Sequence, residues 1–404
     1  MNHNRNVFSI YTSELASSFG SGMAFIGVNW YLFEKTSSSA VVGYYMMTFV
    51  FSALIALPFS GTMADRHNKK IILLWCHFIR AFSFLLFFAV NVFYDNSLYA
   101  VFVIAIASGA GWAFYMPASR ALIKECLSPE KYTQSNSILE IALQCGNFFS
   151  AAVCGYLLAH YGFQLISILN ILVFVLSFIA ILPVEPQTSS ISEKTENTWA
   201  QIREGLAFQF SNRRLFLLGL ALFIPFSVTI ASNAVLPEYI SDHLSLGSIE
   251  FGFAEMLYGI GALLSGFIIA AFAKLALKES VLTNGFFMCS VSVLSVLALT
   301  RSVGLLWLCY ALFGISSSAI RIVISSQSMK VIPSVVYGRV FSTWMMASMV
   351  IQIALIWLVT NLVEMYGSPT GYLLLSFTTF VAFVVYGVYL ITQEKLSDSA
   401  KPSY

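Results

Sequence analysis

Five residues in this chain can carry charge or a proton in surroundings that offer neither water nor polar neighbours. Glu14, His77, Arg80, Glu140 and Glu255 each fall within a long apolar run. An ionisable side chain at the centre of a hydrocarbon-spanning helix costs about 2.5–3.5 kcal/mol on insertion scales, so it normally faces a cavity or a partner. At 1.5 Å per residue, Glu14 and Glu140 lie about ten Å into their runs. Arg80 is near the middle of its run, and Glu255 lies in the outer part of its own. Two readings of the acids stay open. Either they are carboxylates on a pathway that take up protons or attract cations, or they belong to a structural ion pair with Arg80 as candidate partner. His77 stands one turn before Arg80 and reads as a proton relay or as a partnered packing histidine. The six cysteines (Cys76, Cys126, Cys145, Cys154, Cys289, Cys309) form no CxxC pair. They read as small core residues, so neither a disulfide framework, a metal site nor a cofactor is expected.

The elements that hold these residues follow from composition. Of 404 residues, 58% are hydrophobic and only 10% charged, whereas a soluble domain carries roughly 25% charged residues. This chain belongs in a bilayer. Apolar runs punctuated by polar residues, Gly and Pro predict spans at about 8–33, 40–63, 71–93, 97–119, 133–160, 162–183, 215–238, 249–273, 281–300, 303–329, 337–362 and 370–392. They are continuously apolar for about twenty residues, as membrane helices require, and not the short alternating segments of a barrel. The first run is too long for a cleavable leader, and no small-residue cleavage site follows it. The chain has no H-E-x-x-H, G-x-S-x-G or G-x-x-x-x-G-K-[ST] motif, which argues against an intramembrane enzyme or an ATP-driven pump. The net charge of +2 gives no reason to expect nucleic acid as a partner.

Orientation comes from where the cations sit. With the N-terminus inside, all of the 21 Lys and Arg residues fall in inner segments except Lys35 and Arg301, in outer loops, and Arg80, within a span. The positive-inside rule then puts both termini in the cytoplasm of a multi-pass protein of the cytoplasmic (inner) membrane. The one long connection, 184–214, separates an N-terminal six-helix bundle (1–183) from a C-terminal one (215–404). Its Gln187–Thr198 stretch is a flexible linker, followed by Trp199, Ile202, Leu206 and Phe210 at the spacing of an amphipathic surface helix. The halves echo each other: Gly61 and Gly266 are 205 residues apart, and Pro129 and Pro333 are 204 apart. The expected fold is therefore all-α, with twelve transmembrane helices in two pseudo-symmetric six-helix bundles and alternating access between them.

Between the second and third spans the chain reads Gly61-Thr-Met-Ala-Asp65-Arg66-His-Asn-Lys69-Lys70. This resembles the major facilitator superfamily signature G-x-x-x-D-R-x-G-R-[KR], with Asn68 at its second Gly and Lys69 at its Arg. The resemblance implies a gating loop, in which a carboxylate at a helix end pairs with a cation or a neighbouring helix N-terminus until a conformational change breaks the set. Ser18-Phe-Gly20, Glu34-Lys-Thr36, Gly111-Trp-Ala-Phe114 with Pro117-Ala118, Glu204-Gly205, Asn233-Ala with Pro237, and Gly338-Arg339-Val-Phe-Ser342 extend it. In order and spacing they are similar to the macrolide efflux and siderophore exporter branch. That branch implies a monomeric carrier, embedded in lipid, that exports amphiphilic small molecules, drug or siderophore, in exchange for protons. A dedicated siderophore or metabolite carrier, working outward or inward, is the alternative. Departures from the branch are the lost Arg near Ser108, the degenerate span-5 pattern at Ser150-Ala151-Ala152 with Gly155, His77 where relatives have Asp, and Ala270 in the second-half place of Asp65.

The charge asymmetry makes a direct prediction. Single cysteines at Ser192 and Asn96 should react with an impermeant thiol reagent from the cytoplasmic and outer sides respectively, in a background whose native cysteines are replaced. Reversed labelling would overturn the orientation.

Overall fold

The computed structural model describes residues 2–93, 98–126, 132–185, 212–274, 279–332 and 334–399, together with 203, 207 and 209. The linker 187–198, Trp199, Ile202, Leu206, Phe210, Pro129 and Pro333 lie outside them. Among the described residues all regular structure is helical. The helices are α1 (Asn2–Thr36), α2 (Ser39–Arg66), α3 (Lys69–Phe93) and α4 (Tyr99–Cys126), then Tyr132–Ile181, which is two helices, α5 (132–161) and α6 (163–181). The second half holds α7 (Arg213–Glu238), α8 (Ser248–Lys274), α9 (Glu279–Leu299), α10 (Val303–Val331), α11 (Ser334–Tyr366) and α12 (Ser368–Ser399). A five-residue π turn, Tyr239–His243, extends α7.

Local chemistry sets these boundaries. The Ser38 hydroxyl accepts the Val41 N–H (3.4 Å) ahead of α2. Asn68 accepts the Lys70 N–H (3.0 Å) at the start of α3, and Asn212 the Arg214 N–H (3.2 Å) at the start of α7. Each supplies an oxygen to a helix N-terminus whose first N–H groups have no partner inside the helix. Gly162, at φ 70° and ψ −180°, breaks the long helix. A right-handed helix cannot continue through positive φ, and glycine takes that conformation without a Cβ penalty. Gly367 (φ 83°) does the same between α11 and α12, with its N–H on the Val363 carbonyl at 2.7 Å.

Ten helical stretches among the described residues are long and apolar enough to cross a membrane. One of them, Ile138–Ile181, spans 44 residues and contains the break at Gly162, so it makes two passes. The more polar α1 carries Ser13, Glu14, Ser17, Ser18 and Ser21 and falls outside that set. The protein is thus an all-α, multi-pass membrane protein. α3 shows the inversion that lipid imposes: Trp75, Phe78, Ile79, Phe82, Leu85 and Leu86 are exposed, whereas His77, Arg80 and Ser83 are buried. A surface helix in water would turn the opposite face outward.

The chain forms two compact units, Met1–Thr195 with Leu246–Met256, and Glu196–Ser245 with Leu257–Tyr404. The first has a core of Ile10, Leu73, Tyr115, Leu122, Leu139 and Ile181, among others, and the second a core around Leu218, Phe287, Ile324, Trp344 and Tyr386. All six cysteines are free, and four of them (Cys76, Cys126, Cys154, Cys309) are buried. Several helix crossings are close enough to exclude a Cβ, and one in each unit does so against a backbone carbonyl of the same pair of helices in the repeat. Gly109 of α4 lies on the Phe49 carbonyl of α2, and Gly314 of α10 lies on the Tyr258 carbonyl of α8. These equivalent crossings bear on one detail of the repeat. They relate α4 to α10 by 205 positions and α2 to α8 by 209, one helical turn more, so the position matching Asp65 is Ala270 by the first offset and Lys274 by the second. The acid is still missing from the second copy.

The Gly314 crossing predicts an effect of size. Gly314→Val drives a side chain onto backbone and should lower stability by about 1–3 kcal/mol. This would read as a fall of several degrees in the unfolding midpoint of the detergent-purified protein. Gly285, which has nothing within 4 Å of an added Cβ, is the control, and equal losses from Gly314→Val and Gly285→Val would refute the argument.

Candidate functional site

In the first unit α1, α3, α4 and α6 bring Glu14, His77 and Arg80 together with a residue that sequence reasoning had not selected, Tyr115. Glu14 is 1% exposed, and the Tyr115 hydroxyl donates to its Oε2 at 2.8 Å. The same tyrosine ring lies beneath Arg80, with the guanidinium carbon 5.5 Å from its centroid and 5.7 Å from that of Phe174. Arg80 Nη1 donates to the Ser17 and Ser21 hydroxyls at 3.3 and 3.4 Å. Its Nε has no hydrogen-bond partner and faces α4 at Gly111, where an added Cβ would stand 2.8 Å away. Glycine at 111 therefore makes room for the cation.

His77 occupies the next turn of α3. Ser13 donates its one hydroxyl hydrogen to the Ser177 carbonyl (3.1 Å), so its 3.2 Å contact with His77 Nε2 is one in which the imidazole donates. The Nδ1 atom is buried and has no hydrogen-bond partner among the described residues. The imidazole also meets the Tyr115 ring edge-on at 5.4 Å. The group is thus one acid, one cation, an imidazole and a tyrosine that touches all three.

The ion-pair expectation needs correction in its partner. Among the described residues no carboxylate lies within ion-pair distance of Arg80. Glu140 pairs instead with Arg120 of α4 (3.2 Å) and accepts from the Gln144 amide (3.0 Å), with 53% of its side chain exposed. Arg120 was placed in an inner loop because the apolar run of α4 stops at residue 119, yet the helix continues to Cys126. A cation that finds an acid on the next helix need not leave the helix, and run length alone misses that. Glu255 of α8 is half-buried and makes no hydrogen bond or ion pair among the described residues.

In the loop between α2 and α3, the side chains of Asp65 and Arg66 lie outside the described residues. Lys69 pairs with Glu125 at the end of α4 (2.8 Å), both largely buried, and Lys70 donates to the Leu182 carbonyl just past α6 (2.7 Å). Gly61 has open space around it. Asn68, the departure from the signature glycine, is the cap of α3.

An all-helical chain with charged groups gathered inside one unit and a charged turn after its second helix suits a membrane carrier, and the comparisons with known proteins agree. Residues 10–235, more than half of the chain, match the model of the Major Facilitator Superfamily. The chain belongs to that superfamily. It is accordingly a transporter and not an enzyme. It is 23% identical over 354 residues to macrolide efflux protein A of Streptococcus pyogenes, covering 86% of this chain and 87% of the relative. The protein of the same name from Enterococcus faecalis is 23% identical over 289 residues, 70% of this chain and 89% of the relative. The crystal structure of nucleoside transporter NupG superposes with a TM-score of 0.76 at 14% identity, covering 95% of this chain and 98% of that one. That likeness shows the major facilitator fold.

Tyr115 generates the prediction for this site. Tyr115→Phe leaves the buried Glu14 carboxylate without its donor and should cost about 1–3 kcal/mol. In a double-mutant cycle the loss should largely disappear when Glu14 is already Ala. Equal losses in both backgrounds would show that the hydroxyl acts elsewhere.

Proposed function

We propose that the protein exports amphiphilic small molecules of the macrolide-like drug or siderophore class across the cytoplasmic membrane, by alternating access of bundles 1–183 and 215–404 about the 184–214 linker, in exchange for protons. It works as a monomer with both termini in the cytoplasm. The drug class rests on the two macrolide efflux relatives, and the orientation on the distribution of Lys and Arg.

Proton coupling rests on one observation, the buried Glu14 carboxylate sharing Tyr115 with Arg80. An ionised Glu14 offsets the Arg80 charge. A protonated Glu14 leaves the cation alone in a low-dielectric core, where an uncompensated charge is expensive. The two protonation states thus favour different arrangements of the helices around them, and loading and release of a proton can drive the exchange. His77, whose Nδ1 has no hydrogen-bond partner among the described residues, passes the proton to or from the cluster. Glu140 and Glu255 serve the cargo pathway, where their greater exposure allows contact. In the loop, Lys69 and Lys70 fix it to the ends of α4 and α6, so that Gly61, Asp65 and Arg66 are carried with the bundle as the part of the gate that makes and breaks contacts.

Glu14→Gln keeps shape and removes titration. In proteoliposomes with an imposed proton gradient, accumulation of a radiolabelled macrolide should fall about tenfold or more, while downhill exchange stays within about twofold, since only the titrating group is lost. Glu140→Gln should leave uphill flux intact. Wild-type accumulation by Glu14→Gln at wild-type abundance would remove Glu14 from the coupling role.

A further inference from the structure

The second unit contains an intramembrane cation that neither the motif nor the proton chemistry uses. Arg321 lies ten residues before the end of α10, about 15 Å into the helix at 1.5 Å per residue. Among the described residues no carboxylate lies within ion-pair distance of it. Its only hydrogen bond among the described residues is from Nη2 to the Ser318 hydroxyl at 3.2 Å, on its own helix. Five N–H donors on a planar fork are thus almost entirely uncommitted.

The direction of the side chain separates two explanations. A long cation near a helix end ordinarily snorkels toward the headgroups. Leu215, at the start of α7, and Ile332, just past α10, belong to one core cluster, so these two ends lie on the same side of the unit. The Arg321 guanidinium does not return toward that side. Its carbon sits 5.6 Å from the centroid of Phe226, which is 13 residues, about 20 Å, into α7. The head therefore leans deeper than its own backbone. It is partly exposed there, as is the ring, and one turn back on α10 the Ser317 hydroxyl contacts the Tyr258 hydroxyl of α8 (3.1 Å). Arg321 thus shares its helix face with a polar contact to another helix, away from lipid.

We propose that Arg321 and Phe226 form a recognition site for the oxyanion of an amphiphilic cargo, a carboxylate, phosphate or sulfonate joined to an apolar or ring-bearing body. The inference rests on the reading of the protein as an amphiphile transporter and adds a preference within it: acid-bearing amphiphiles bind more tightly than neutral or basic ones, which are still carried. The guanidinium supplies two parallel N–H donors to the oxyanion, a geometry that an ammonium cannot reproduce. Phe226 holds the cation in place and offers apolar surface to the cargo beside it. An arriving anion also provides the counter-charge that the helix lacks.

The test uses three probes of one shape, 1-pyrenebutyrate, 1-pyrenebutanol and 1-pyrenebutylamine, titrated calorimetrically into the purified full-length protein. The wild type should bind the acid about tenfold or more tightly than the alcohol, as expected for a charge-assisted pair out of water. Arg321→Gln should erase that difference and leave the alcohol within about twofold of wild type, and Arg321→Lys should keep only part of it. Equal wild-type affinity for acid and alcohol overturns the site, as does a preference that survives in Arg321→Gln. If the alcohol or the amine binds and the acid binds no better, the amphiphile reading stands and the anion site falls. If none of the three binds, both fall. The wild-type comparison needs no variant, so a poorly folding Arg321→Gln does not protect the proposal.

Discussion

Arg80 is a guanidinium buried in the interior of the first unit with no carboxylate within ion-pair distance among the described residues, and much of that unit is arranged around that fact. Such a charge is tolerable only if many partial charges point at it. The hydroxyls of Ser17 and Ser21, the ring faces of Tyr115 and Phe174, and the acid held by the Tyr115 hydroxyl together provide this. The same requirement explains the composition of α1, whose serines would be out of place in a helix that met lipid on all sides. It also explains the bare backbone at Gly111, against which the guanidinium rests.

The fold was legible because a bilayer leaves so few options. Run length and punctuation placed the helices, and the turn at Gly162 was read between spans ending at 160 and beginning at 162. The composition of the charged cluster was legible too, since Glu14, His77 and Arg80 stand out in apolar runs. Their partners were not. Tyr115 is one aromatic among many, and nothing in its spacing marks the hydroxyl that reaches Glu14. Arg120, one residue past the expected span 97–119, and Arg321, eight residues inside the expected span 303–329, were both counted with the inner segments, because charge counting alone does not say whether a cation leaves its helix or stays within it. Only the neighbouring helix decides, Glu140 for Arg120 and Phe226 for Arg321.

The loop after α2 shows how a signature can change while its local task is kept. Asparagine in place of the second glycine looks like a loss, but its oxygen caps α3. Lysine in place of arginine gives up a planar fork and keeps a point charge, which suffices for one carboxylate oxygen of Glu125 at 2.8 Å. The second copy of the loop has lost its acid altogether. The two units therefore share a helical plan while differing in the charges they carry, with Glu14 and Arg80 in one and Arg321 in the other.

Gly162 has a consequence for how the chain is made. With a single residue between α5 and α6, there is no polar stretch to be carried across the membrane on its own and no slack by which the first helix could settle before the second arrives. The two helices therefore have to be placed in the bilayer with their ends within one residue of each other, and neither can be set at a different depth without moving the other.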